Sequence, residues 1–131
     1  MIFVDSGAWF ASIIPIDPDY PAACTWLAQN REPLITTDYV VDETLTLLRA
    51  RGQNSRAISF GTSILSGQLA KLHYVTPDEF HEAWEVFRGY HDKNWSFTDC
   101  VSKRIIESLG VSKAFSFDHH FRQFGNVIAV P

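Results

Sequence analysis

Short apolar runs alternate with longer stretches of helical periodicity along the whole chain. IFVD (2–5), PLITT (33–37), LHYVT (72–76), KAFSFD (113–118) and NVIAV (126–130) read as strands. Between them, GAWFASII forms a helix that Pro15 stops, and a second pattern runs through Ala23, Trp26 and Leu27 after Pro18 and Pro21. DYVVDETLTLLRARG follows, with Asp38 as its expected N-cap and Gly52 as its stop. SRAISFGTSILSGQLA is a helix weakened by Gly61 and Gly67. Pro77 opens PDEFHEAWEVFRGY, and SFTDCVSKRIIESLG runs from the loop HDKNW to Gly110. HHFRQFG is a short helical turn. Strands alternating with amphipathic helices predict an α/β fold, with a central, mainly parallel sheet of about four to five short strands flanked by helices.

Length changes little in this picture: 131 residues predict one domain spanning 1–131, large enough for a sizeable core. Pro and Gly are scattered, so neither a linker nor a repeat is expected. MIFVDSGAWF lacks the pattern of a signal peptide, and no apolar run nears the roughly 20 residues of a membrane helix. Cys24 and Cys100 fit no metal spacing and are expected as reduced thiols, which makes the expected location cytoplasmic. The formal net charge of −4 argues against a simple phosphate-binding surface.

In open parallel sheets the ligand sits beyond the carboxyl ends of the strands, and two acids fall at such ends, Asp5 and Asp118. Either could instead cap the helical turn that follows it. Glu43 lies beside the apolar arc of Val40, Val41, Leu45, Leu47 and Leu48, whereas Asp42 points away from it. A carboxylate at a core margin needs a partner, which could be Arg49, Arg51 or a cation. Asp99 completes a capping box with Ser96, and it too lies at the edge of an apolar face.

Each acid has an ordinary local explanation, but none accounts for all four falling where they can converge. Oxygen-only donors suit hard cations, Mg2+ or Mn2+. A pair of such ions about 3.5–4 Å apart can clamp both attacking and leaving oxygens in phosphodiester cleavage. Setting Asp5, Glu43, Asp99 and Asp118 aside leaves 11 of the 15 acids, equal to the 11 Lys and Arg. The net charge can therefore reside in one cation-binding site, so acidity does not exclude a nucleic-acid substrate.

The ordered motifs FVDSGAW, VVDETLTLL, SFTDC and SFDHHF resemble the PIN-domain nucleases, and within them the small toxins of VapBC-type toxin–antitoxin pairs. The resemblance covers essentially the whole chain. It implies a PIN-like fold and aligns the family's four acids with Asp5, Glu43, Asp99 and Asp118, as catalytic and metal-holding residues. It further implies Mg2+ or Mn2+ as cofactor, endonucleolytic cleavage of RNA, a homodimer, and a cognate antitoxin whose C-terminal segment covers the pocket.

On that reading Ser6 and Thr98 are expected to hydrogen-bond ligand carboxylates or phosphate. Arg49, Arg51, Lys93 and Arg122 flank the acidic motifs and are candidates for substrate contact, with solvated surface as the plainer alternative. Trp9, Trp84, Trp95 and Phe97 are expected in packing rather than in base stacking. His73 and His81 read as surface residues and His91 as a loop residue. In FSFDHHF, the adjacent His119 and His120 are expected to point apart on a helical turn and to decorate it, while Phe115, Phe117 and Phe121 pack. Two other functions are consistent with the motifs. One is a non-catalytic PIN-like module binding RNA or protein. The other is an aspartate-nucleophile phosphatase, which Gly7 disfavours because those enzymes carry a second Asp there. Cleavage of DNA flaps is disfavoured because the chain lacks insertions that could form an arch.

Overall fold

The computed structural model describes residues 1–131. The elements follow the order β1 (Ile2–Val4), α1 (Ser6–Ile13), α2 (Tyr20–Gln29), β2 (Leu34–Thr37), α3 (Asp38–Ala50), α4 (Asn54–Leu65), β3 (Lys71–His73), α5 (Pro77–Gly89), α6 (Phe97–Leu109), β4 (Lys113–Phe115) and β5 (Ile128–Val130). A 3-10 turn at His119–Gln123 separates the last two strands. All four strand pairings are parallel, and the sheet order is β3-β2-β1-β4-β5.

The chain winds outward from the central β1 to β2 and β3, then returns to start again at β4 and β5. The order therefore reverses between β1 and β4, and at such a switch point a crevice opens beyond the strand ends. Helices cover both faces, so β1 is apolar throughout, with Ile2, Phe3 and Val4 all buried. Thr36, on the neighbouring β2, is buried but satisfied: its hydroxyl donates to the Val4 carbonyl at 3.1 Å and accepts from Trp9 Nε1 at 3.3 Å.

Several boundaries differ from the sequence reading. Thr37, not Asp38, caps α3, accepting from the Val40 amide at 3.2 Å. Asp38 enters the first turn of the helix and accepts from the Val75 amide at 3.0 Å, tying the start of α3 to the segment after β3. β4 stops at Phe115, short of Asp118, although the Ser116 amide still donates to the Val130 carbonyl of β5 at 3.0 Å. β3 begins at Lys71 and ends at His73. His73 is no free surface residue, since its Nε2 lies 2.9 Å from Glu79 Oε1 on α5. Trp9 and Trp95 are core residues and Phe97 packs against the core, but Trp84 stands half exposed on α5.

Candidate active site

Asp5 follows β1 directly, at the switch point. It occupies the N-cap position of α1, yet its side chain makes no capping hydrogen bond. It is 4% exposed, and its Oδ2 accepts from Ser116 Oγ at 3.3 Å. Burial pushes its carboxyl up to about 7, against a pull downward from the Ser6 backbone. The charges of Asp99, Asp118 and Glu43 push it further up. All three are thus gathered around Asp5, although they come from segments far apart in the sequence.

Glu43 reaches the site from α3, where it is half-buried and accepts a hydrogen bond from Ser6 Oγ. Neither arginine considered from sequence pairs with it. Arg49 Nε donates to Asn54 Oδ1 at 2.8 Å, and the Arg51 guanidinium lies 5.9 Å over the Phe10 ring. The partner of Glu43 is thus a hydroxyl that leaves its charge uncompensated. Asp42 is exposed, as its position on the helix predicts.

Asp99 combines two roles. The capping box is present, with the Ser96 amide donating to Asp99 Oδ2 and the Asp99 amide to Ser96 Oγ, both at 3.0 Å. The same Oδ2 lies 3.1 Å from His120 Nδ1, so capping does not exhaust the residue. Asp118 also caps, its Oδ1 accepting from the His120 amide at 2.9 Å, while its own amide donates to Ser116 Oγ at 3.0 Å. His120 Nδ1 is 3.4 Å from Asp118 Oδ1, which puts one imidazole between two of the four acids.

Two contributors were absent from the sequence reading. Ser116 spans Asp5 and Asp118 with a single hydroxyl. Its position, polar between Phe115 and Phe117 at a strand exit, is the sequence signal that could have marked it. Spacing on a helical turn makes His120 look like decoration, because adjacent residues diverge there. In the 3-10 turn they diverge too, yet the His120 ring lies against Asp99 and Asp118, and the His119 and His120 ring centroids stand 4.4 Å apart. Donor atoms of Asp118, His119 and His120 all lie within 4.8 Å of one another.

Thr98 is half-buried and makes no side-chain hydrogen bond to the four acids, unlike Ser6. Arg49, Arg51, Lys93 and Arg122 are all exposed. A groove of about 600 Å3 runs between α3 and α4 along Leu45, Arg49, Ile58 and Leu65, and holds none of the acids. We take the acids and not this groove as the chemical centre, because an apolar groove offers no group able to move a proton or hold a cation. The carboxylates acting on Asp5 are hard oxygen donors of the type a divalent cation takes, and a positive charge would relieve the repulsion they exert on it.

The PIN domain family model matches residues 2–127. The 23S rRNA-specific endonuclease VapC20 of Mycobacterium tuberculosis (strain H37Rv) is 30% identical over 131 residues, covering 100% of this chain and 99% of that protein. A VapC ribonuclease of Archaeoglobus fulgidus is 30% identical over 89 residues, 67% of this chain and 55% of the relative. Among solved structures, the Mycobacterium tuberculosis VapC20 toxin, described as cleaving the sarcin–ricin loop, superposes with a TM-score of 0.93 at 28% identity, with both chains covered completely.

Proposed function

The chain belongs to the PIN-domain family, and from that premise we propose that it is a divalent-metal-dependent endoribonuclease acting as the toxin of a type II toxin–antitoxin pair. The observation that carries this is the convergence on Asp5 of three further carboxylates at the switch point of a parallel sheet. The names of the two relatives support RNA as substrate. A structured loop of large-subunit ribosomal RNA is the substrate to test first, since one relative spanning the whole chain is named for 23S rRNA.

In this reading residues 1–131 form one nuclease domain, and Asp5, Glu43, Asp99 and Asp118 hold Mg2+ or Mn2+. A cation bound there supplies charge that eases deprotonation of the attacking water and offsets the charge growing on the phosphate. The chain's own residues set the geometry. Ser6 holds Glu43 on the pocket side of α3, and Ser116 fixes the spacing of Asp5 from Asp118. Thr98, beside Asp99, would bond phosphate rather than a carboxylate. Water attacks phosphorus in line, the bond to the leaving ribose oxygen breaks, and that oxygen takes up a proton. Arg49, Lys93 and Arg122, all exposed, would meet neighbouring phosphates.

A homodimer and a cognate antitoxin covering the acids complete the proposal, with action in the cytoplasm. No helix is long and apolar enough to cross a membrane. The test is expression in a bacterial host: growth arrest with the wild-type chain, relieved by Asp5→Asn and by co-expression of a cognate antitoxin. Equal arrest by wild type and Asp5→Asn would overturn the assignment.

A further inference from the structure

We propose that the hollow beside the start of α6 is a nucleobase pocket, in which one unstacked base of the RNA lies against Tyr90 and Phe87. The inference rests on the reading of the chain as an RNA nuclease and adds to it the place where the strand is gripped.

The hollow, about 410 Å3, opens between the end of α5, the loop after it and the start of α6. That volume is on the scale of a small-ligand site, with room for one base and its ribose but not for a helix. Two rings stand half exposed in its lining, Phe87 at 41% and Tyr90 at 43%. Aromatic rings with a free face are the surfaces on which single-stranded bases stack. Tyr90 is backed by Trp95, with ring centroids 4.9 Å apart. Trp95 is buried and fixed, its Nε1 donating to Gln123 Oε1 at 2.8 Å and its ring meeting Phe124 edge-on at 5.1 Å. The loop is closed by the Lys93 amide, which donates to the Tyr90 carbonyl at 3.0 Å. The stacking surface is therefore built before any ligand arrives.

His91, Lys93 and Asn94 line the same hollow, and all three are exposed. Their side chains make no hydrogen bond or ion pair within the chain. An amide offers both a donor and an acceptor to the edge of a base, and a lysine offers its charge to a phosphate. Free rings beside free polar groups match a nucleotide better than an apolar side chain of a protein partner.

The hollow also adjoins the acids. Ser96 lines it, and the Ser96 amide donates to Asp99 Oδ2 at 3.0 Å. Cys100, the residue after Asp99, lines it too. A base seated here leaves its sugar–phosphate strand running past the first turn of α6 toward Asp99.

The test is binding of short oligo(A), oligo(C) and oligo(U) RNAs to the full-length protein, in an Asp5→Asn background so that the strands stay intact. Tyr90→Leu, which keeps an apolar side chain but removes the ring, should weaken binding about tenfold, while Tyr90→Phe binds as the parent does. Lys93→Gln should weaken all three RNAs alike and lower the salt slope by about 0.7. Asn94→Ala should change the preference among them. Oligo(U) carrying 5-iodouridine should photocrosslink to Tyr90 or Phe87. Parent-like binding by Tyr90→Leu would overturn the proposal, as would crosslinks confined to other segments. A shift from dimer to monomer in Tyr90→Leu by sedimentation would also overturn it, because the face would then belong to a second copy of the chain. Cleavage is scored separately, with Asp5 restored: Tyr90→Leu should raise KM about tenfold at unchanged kcat. Tyr90-dependent binding without cleavage supports the pocket and removes the nuclease reading, whereas cleavage with unchanged KM in Tyr90→Leu does the reverse.

Discussion

The two halves of the acidic site are built differently. Asp5 and Glu43 are held by serine hydroxyls, from Ser116 and Ser6, and Asp5 is dry, with its carboxyl pushed up to about 7. Asp99 and Asp118 each accept a backbone amide and each lie beside His120. The first half is strained by unrelieved negative charge, which only a proton or a cation can offset. The second half is already satisfied by the fold and does structural work as well. Removing a carboxylate should therefore have opposite effects on stability in the two halves and the same effect on activity.

The sharpest break of this comparison is Asp5→Asn. Losing a carboxylate that orients the cation removes several kcal/mol of transition-state stabilisation, so RNA cleavage should drop by roughly 10^3-fold. The metal-free variant should nevertheless be at least as stable as wild type at pH 8, by thermal denaturation. Asp99→Ala should lose cleavage comparably but also melt lower, because the capping box goes with it.

The second effect is a pH dependence of the metal-free protein. The Asp5 carboxyl is raised from 3.8 to about 7, so the folded chain holds this proton more tightly than the unfolded one. Its contribution is complete below pH 3.8 and is lost as pH rises through about 7. Chemical denaturation should show stability declining between about pH 4 and 7, by at most about 4 kcal/mol from this group. Added Mg2+ or Mn2+ should restore more stability at pH 8 than at pH 5, and Asp5→Asn should flatten the profile.

Smaller effects separate support from ligation. Ser6→Ala frees Glu43 and should lower cleavage about tenfold with little change in melting temperature. Ser96→Ala removes only the cap hydroxyl and should cost about 1 kcal/mol of stability, leaving cleavage within about twofold.

Much of this could be read from the chain. The apolar runs located all five strands, the capping signals located α5 and α6, and the strand-end rule put Asp5 and Asp118 on one rim. What could not be read depends on contacts between distant segments or on turn geometry. An arginine or a cation is the partner the sequence offers Glu43, but the fold brings Ser6 to it from 37 residues away. Asp38 has the residue type of a cap, but the extended Thr37 holds that position. Helical spacing sets His120 apart from His119 but is silent on the long-range contact that puts its ring beside both Asp99 and Asp118. Period and composition carry no information about which kind of turn follows a strand only three residues long.

The claim at the centre of this account is that the four converging acids form a cation-dependent RNA-cleaving site. It is tested most directly by incubating the purified protein, stripped with EDTA, with ribosomal RNA and following fragment formation as Mg2+ or Mn2+ is returned. The account predicts discrete fragments that appear only with the cation and are absent for Asp5→Asn. Cleavage that persists in EDTA, or in Asp5→Asn at the wild-type rate, would contradict it.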